Sequence, residues 1–257
     1  MPGERATGRA DTTSLRDEHT TAAVRRRLAE KRSPSYLQDF IYGAIDGTVT
    51  TFAVVAGVEG ANLDEAIVVI LGGANLIADG FSMAASNFLG TRAERQQRAR
   101  ARKREERHVD ALPEGEREEV RQIFAAKGFD GDELERVVDV ITANRELWVD
   151  TMMTEELGLS PTGRSEFHAA FATFSAFVTV GFLPLSVFVY DAATPGDVAN
   201  TLGWSAVMTA GAFVVVGAVK ARFVDQPWWR SALETLVVGG TAAVLAYAAG
   251  ALLQQLV

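Results

Sequence analysis

Two aspartates stand inside apolar stretches that are long enough to cross a bilayer. Asp46 interrupts the run Phe40–Val58, and Asp79 interrupts the run Ala66–Gly90. A carboxylate at membrane depth costs roughly 2.5–3.5 kcal/mol on insertion scales, so it usually faces a bundle interior or an ion path. The alternative is a buried polar residue that hydrogen-bonds to a neighbouring helix. We interpret both aspartates as candidates for a cation pathway.

The second apolar run carries further polar side chains at helical spacing. Asn75, Asp79, Met83 and Asn87 follow one another four residues apart, which aligns them along one helix face. We propose Asp46 and Met83 as a metal site within the membrane. A carboxylate binds either a divalent metal ion or a proton, which supplies exchange coupling without a nucleotide. The sequence contains no G-x-x-x-x-G-K-[ST] loop, so nothing points to ATP hydrolysis.

A second group of candidate ligands lies in a charged part of the chain. Glu116 and Glu119 are three residues apart, and Met152 and Met153 precede Glu156 by four and three residues, which places each set on one helix face. Several carboxylates with a thioether nearby suit a divalent transition metal better than calcium or magnesium. The alternative is that the carboxylates are solvated and that the methionines fill a core.

Five apolar runs of membrane-spanning length organise the chain. They are Phe40–Val58, Ala66–Gly90, Phe167–Tyr190, Val198–Val219 and Ser231–Val257. A spanning segment must satisfy its own backbone hydrogen bonds, so each is predicted to be a helix. We predict an all-α polytopic membrane protein with a tail over 1–36, spans one and two over 37–90, an insert over 91–165, and spans three to five over 166–257. The tail is expected to be largely disordered, with a short surface helix possible within Ser14–Lys31.

The positive charges predict one orientation. Arginine and lysine residues are concentrated in the tail, after the second run and between the fourth and fifth runs, whereas the linkers Glu59–Ala66 and Asp191–Asp197 contain none. By the positive-inside rule, the N-terminus and the insert are cytoplasmic. No secretory signal precedes the first run, and the composition is rich in alanine, arginine and glycine. These features favour a prokaryotic inner membrane.

The insert (residues 91–165) is predicted to contain three helices. The first continues the second span, the second covers Pro113–Gly128, and the third covers Asp132–Gly158, with an apolar face of helical period. Residues 91–107 hold eight basic side chains against three acidic ones. Anionic lipid headgroups are the natural partners of this basic stretch. Since no aromatic residues are interleaved, a nucleic-acid partner is not expected.

Five motifs, in order, resemble the vacuolar iron transporter family: DFIYGAIDG, ADGFSMAASNFLG, PEGEREE, TMMTEELGL and FVTVGFLP. The resemblance runs from about Gln38 to the C-terminus. It implies a homodimer of five-helix protomers that exports Fe²⁺ from the cytoplasm in exchange for protons. The transport path would lie at the dimer interface and be lined by the first two spans. No tightly bound cofactor and no enzymatic activity are expected.

The resemblance also implies roles for individual residues. Asp46 and Met83 match the family's pore residues, and Asp39 matches an aspartate near the cytoplasmic mouth. The metal ligands of the insert match Glu105, Glu116, Glu119, Met152, Met153 and Glu156. The chain departs from the family at two positions, because Asn75 and His108 stand where glutamate is common. Histidine remains a competent ligand for Fe²⁺, Mn²⁺ or Zn²⁺.

Two other functions compete with transport. A membrane-bound di-iron oxidase would use Glu-x-x-His motifs on two helices, and the chain offers one, at Glu105 and His108. A membrane scaffold or metal sensor would bind metal at the insert without transporting it. The sequence does not choose between Fe²⁺ and Mn²⁺, because both accept the same oxygen-rich sites.

Overall fold

The computed structural model describes residues 16–29, 34–160, 162–194 and 198–256, and no strand occurs within these ranges. The chain forms two compact units, Met1–Ser35 and Tyr36–Val257. In the first unit, helix α1 covers Thr21–Ala29 and buries none of its residues. It falls within the stretch for which a short surface helix was predicted. Residues 1–15 and 30–33 of the tail that was predicted to be disordered lie outside the described residues.

Among the described residues of the second unit, five helices are long and apolar enough to cross a membrane, as the sequence predicts. They are α2 (Leu37–Gly60), α3 (Glu65–Ala111), α7 (Glu166–Ala193), α8 (Thr201–Val224) and α9 (Trp228–Gln254). Large apolar side chains such as Ile70 and Phe81 on α3, and Val244 and Leu245 on α9, are exposed on their outer faces. Exposed apolar surface of this extent is expected where the hydrocarbon chains of a lipid bilayer surround the helices.

Helix α2 is central to the bundle, since it packs against α3, α7, α8 and α9. Its approach to α7 depends on small residues, as is common where membrane helices meet. A Cβ atom on Gly43 or Gly47 would clash with the backbone carbonyl oxygens of Thr173 and Phe177, respectively. These two glycines therefore set the spacing between α7 and α2, which carries Asp46.

Helix α3 is a single helix of 47 residues that leaves the bundle and forms the first helix of the insert. This continuation of the second span confirms the prediction from the sequence. Leu112 then ends α3, and Pro113 occupies the first turn of α4 (Pro113–Ala126). Proline suits this position because its missing N–H has no partner there in any helix.

The single helix predicted over Asp132–Gly158 is wrong. The structure has two helices there, α5 (Gly131–Thr142) and α6 (Arg145–Glu155). Asn144 has extended backbone angles, and its side chain accepts hydrogen bonds from the backbone N–H groups of Glu146 and Leu147. Asparagine is among the most favoured N-cap residues, so α6 starts anew at this point.

The insert has a hydrophobic core of its own. Helices α3 to α6 contribute its buried residues, which are Val109, Val120, Val138, Ile141, Trp148, Val149, Met152 and Met153. A different cluster of buried side chains, including Val55, Leu76 and Phe177, holds the spanning helices together. The geometry of the insert is therefore fixed by contacts within the insert.

Candidate metal sites

Three potential metal ligands meet where α3 ends and α4 begins. Glu105 and His108 lie three residues apart on α3, and Glu116 lies in the first turn of α4. The tight turn at Leu112 reverses the chain between them. One ligand atom from each of the three residues lies within 4.8 Å of the other two. A carboxylate, an imidazole and a second carboxylate at this spacing can coordinate one divalent ion.

The two carboxylates of this group are almost inaccessible to solvent. Glu105 is 1% exposed and Glu116 is 4% exposed. The Nδ1 atom of His108 lies 3.2 Å from Oε1 of Glu116. The second carboxylate oxygen of Glu116, Oε2, is buried and has no hydrogen-bond partner among the described residues. A buried carboxylate oxygen without a partner is costly, and a bound cation would remove that cost.

Two further predicted ligands interact electrostatically with the same group. Burial raises the pKa of the Glu116 carboxyl, and the neighbouring carboxylates of Glu119 and Glu105 raise it further. Burial likewise raises the pKa of Glu156, with Glu105 and Glu119 as the next causes. The five residues Glu105, His108, Glu116, Glu119 and Glu156 are called the insert cluster below. The mutual repulsion of the four carboxylates in the absence of metal favours the binding of a cation.

Met152 and Met153, by contrast, lie in the hydrophobic core of the insert. Both side chains are at most 1% exposed and pack with Val109 and Val120. The structure therefore supports the alternative that these methionines fill a core more directly than it supports a role as metal ligands. Their contribution to metal binding stays a prediction.

Arg104 is a member of this neighbourhood that the sequence reasoning missed. Its Nε atom lies 2.9 Å from Oε1 of Glu105. A guanidinium at that oxygen occupies a position that a metal ion would need. Arg104 directly precedes Glu105 in the sequence, but adjacent residues on a helix usually point in different directions, so the sequence did not predict this ion pair.

In the spanning helices, the structure brings the two predicted aspartates close to each other. Asp46 on α2 is half-buried, Asp79 on α3 is exposed, and their carboxylates are close enough to interact electrostatically. Met83 is partly buried against the membrane core cluster. The amide nitrogen of Asn75 is buried and has no hydrogen-bond partner in the described part of the chain. Asp46, Asp79, Met83 and Asn75 thus belong to two adjacent helices.

Asp39, which was predicted to lie at the cytoplasmic mouth of the transport path, forms hydrogen bonds with side chains of other parts of the chain. It is 4% exposed, and its Oδ2 atom accepts a hydrogen bond of 2.9 Å from Nη1 of Arg164. Its Oδ1 atom accepts one of 2.9 Å from the amide of Asn87, which also contacts Thr173 at 2.7 Å. Asn87 was predicted to lie in line with Asn75, Asp79 and Met83 on α3, but its side chain points towards α2 and α7. Arg164 gave no signal in the sequence, because it is 125 positions from Asp39.

Comparison with known proteins gives a consistent assignment. The family model described as "VIT family" matches residues 37–251. The chain is 33% identical to vacuolar iron transporter 1 of Arabidopsis thaliana over 220 residues, covering 85% of this chain and 86% of that protein. It is 33% identical to the vacuolar iron transporter of Toxoplasma gondii over 236 residues, covering 88% and 76%, respectively. The match to the vacuolar iron transporter of Plasmodium falciparum is 29% over 225 residues, covering 85% and 82%. This chain belongs to the VIT family.

Proposed function

We propose that this protein carries Fe²⁺ across a membrane, from the side of the insert to the opposite side, in exchange for protons. The observation that carries the proposal is the course of α3. This one helix bears Asp79 and Met83 in its spanning part and Glu105 and His108 in the insert. Two groups of metal-competent side chains, one in the membrane and one outside it, are what a metal carrier requires. The relatives named vacuolar iron transporter support the choice of iron.

The chemistry of the ligands fits a first-row divalent ion. Four carboxylates and one imidazole make up the insert cluster, and two carboxylates and a thioether lie in the spanning part. This mixture suits Fe²⁺, Mn²⁺ and Zn²⁺. We assign Asp46 and Met83 to the membrane site, and Glu105, His108, Glu116, Glu119 and Glu156 to the insert site.

A homodimer completes the membrane site in this proposal. Asp79 is exposed on α3, and Ile77 and Phe81 on either side of it are 59% and 68% exposed. A carboxylate that faced lipid at this depth would be costly. A second copy packed against this face of α3 would shield Asp79 and bring both copies of Asp46 and Met83 to one central path.

Proton exchange follows from competition at the same oxygens. A carboxylate in the path accepts either a proton or a metal ion, so a metal ion enters as protons leave. We assign the insert to the cytoplasmic side from the positive charges that adjoin it, and the protein to a prokaryotic inner membrane. Export from the cytoplasm is then the direction of transport.

Reconstituted proteoliposomes test the proposal. Vesicles that contain the protein should take up Fe²⁺ or Mn²⁺ when a pH gradient is imposed, and uptake should move protons in the opposite direction. Asp46→Asn should abolish uptake, while the variant still elutes like the wild type in size-exclusion chromatography. Full uptake by Asp46→Asn would remove this residue from the mechanism.

The same preparation separates the competing functions. Oxygen consumption on addition of Fe²⁺ would favour the di-iron oxidase, for which the one Glu-x-x-His motif at Glu105 and His108 is the supporting feature. Metal binding at the insert without any uptake would favour a sensor or scaffold.

A further inference from the structure

A groove with three arginines lies on α3 beside the insert cluster. Arg100, Arg104 and Arg107 recur at helical spacing along one face of the helix, and Gln97 extends the row. Leu157 and Leu159, from the segment that follows α6, form the apolar part of the lining. The cavity has a volume of about 460 Å³, which is within the range of small-ligand sites.

Most of the positive charge in this groove is not neutralised. Within the described ranges, Arg100 makes no ion pair and no hydrogen bond, and Arg107 donates only its Nε–H, to the carbonyl oxygen of Lys103 at 3.2 Å. Arg104 makes the ion pair with Glu105 described above. Guanidinium groups bind phosphate oxygens in bidentate geometry, so a cavity lined by three arginines offers a site for a phosphate-bearing anion.

The position of the groove favours a soluble anion over a lipid headgroup. Arg100 and Arg107 lie ten and seventeen residues beyond Gly90, where the apolar run ends. At 1.5 Å per residue these are about 15 and 25 Å along the helix axis. Headgroup charges at the membrane surface are screened within about 8 Å at physiological ionic strength. The leucines suit an anion that carries an organic part as well as its phosphates.

We propose that this groove binds a phosphate-bearing anion and that the bound anion makes the insert cluster more receptive to metal. The link is Arg104, which lines the groove and whose guanidinium forms an ion pair with Oε1 of Glu105. An anion in the groove draws Arg104 away from Glu105, and this oxygen becomes free to coordinate metal. By thermodynamic linkage, bound metal then strengthens anion binding by the same factor. This coupling rests on the proposed function of the insert cluster, whereas anion binding does not.

Calorimetric titration of the metal-free, full-length protein with inorganic pyrophosphate tests the groove. The wild type should bind one pyrophosphate per protomer. Arg100→Gln and Arg107→Gln should each weaken binding about tenfold, since each removes charge-assisted hydrogen bonds. Arg136→Gln on α5 is the matched control, because it removes one exposed positive charge of the insert outside the groove, and its affinity should equal that of the wild type. No binding by the wild type, or an equal loss in Arg136→Gln, would overturn the proposal.

The source of the anion is distinguished in lipid nanodiscs. Pyrophosphate binding that is equal in phosphatidylcholine discs and in discs with added phosphatidylglycerol supports a soluble ligand. Binding that phosphatidylglycerol abolishes assigns the same groove to a lipid headgroup and overturns the soluble ligand.

The coupling is tested by titrating Mn²⁺ with and without sulfate, a tetrahedral dianion, at constant ionic strength. Sulfate should increase the Mn²⁺ affinity of the wild type severalfold. Arg104→Gln should bind Mn²⁺ more tightly than the wild type without sulfate and should not respond to sulfate. An affinity that sulfate leaves unchanged in the wild type overturns the coupling. If no variant binds Mn²⁺ while the pyrophosphate results hold, the insert cluster fails as a metal site and the groove stands.

Discussion

The buried carboxylate of Asp39 depends on one arginine for its charge balance. Arg164→Ala should lower the free energy of unfolding by about 2–5 kcal/mol, because it leaves a buried charge without its partner. Lys220→Ala is the control, since Lys220 is as exposed as Arg164, at 33%, but pairs with Glu234, which is 55% exposed. That exposed pair should contribute at most about 1 kcal/mol. Thermal unfolding in detergent measures both, and equal effects would contradict a buried ion pair at Asp39.

The raised pKa values in the insert cluster predict how metal binding depends on pH. Glu116 and Glu156 must lose their protons to bind metal, so the affinity for Mn²⁺ should fall as the pH is lowered from 7 towards these raised values. Without metal, the sign is opposite for these two groups: the folded state holds their protons more tightly than the unfolded state, so acidification increases the stability that Glu116 and Glu156 contribute, measured as the difference between the wild type and Glu116→Gln. Mn²⁺ titrations and thermal unfolding, each at several pH values, check the two signs.

Glu116→Gln isolates the contribution of one ligand. The variant should bind Mn²⁺ at least about tenfold more weakly at pH 7, and its affinity should change less with pH than that of the wild type. Glu133→Gln on α5 removes an exposed carboxylate outside the insert cluster and should behave like the wild type. An unchanged Mn²⁺ titration for Glu116→Gln would show that this residue is only structural.

At the scale of the helices, an added methyl group at the contact between α2 and α7 should lower the free energy of unfolding. Gly47→Ala would place a Cβ atom against the backbone of Phe177, and overpacking of this kind costs about 1–3 kcal/mol. Gly211→Ala on α8 is the control, because a Cβ atom there meets no other atom within 4 Å. The control should be neutral or slightly stabilising, since alanine favours helix over glycine. Thermal unfolding that ranks the two variants in the reverse order would contradict this packing.

Hydrophobicity and helical spacing predict the helices well but not the contacts between them. The five spans and the continuation of α3 follow from local sequence, because each helix satisfies its own backbone. The break at Asn144 was missed, since the apolar period continues through it while the cap depends on one side chain. Spacing alone predicted Glu116 as a ligand, whereas Glu105 and His108 were assigned from the resemblance to the transporter family. Arg164 and Asp39 are brought together only by the packing of α2 against α7, which local patterns do not encode.

At the scale of the whole molecule, the proposed dimer can be tested by disulfide cross-linking, because the chain has no cysteine that would compete with an introduced one. Ser82→Cys introduces a single thiol on the exposed face of α3, three residues after Asp79. A mild oxidant should cross-link this variant to a covalent dimer in the membrane. Leu245→Cys on α9, also exposed, is the control and should remain monomeric on denaturing gels. Cross-linking of the control alone would place the interface elsewhere.

The length of α3 has a kinetic consequence. Glu105 lies 26 positions after Asp79 on the same uninterrupted helix, which corresponds to about 39 Å. In the proposed transport, an ion that dissociates from Glu105 is therefore released within a few nanometres of the membrane site. The uninterrupted helix fixes the distance that the released ion must diffuse before it reaches Asp79.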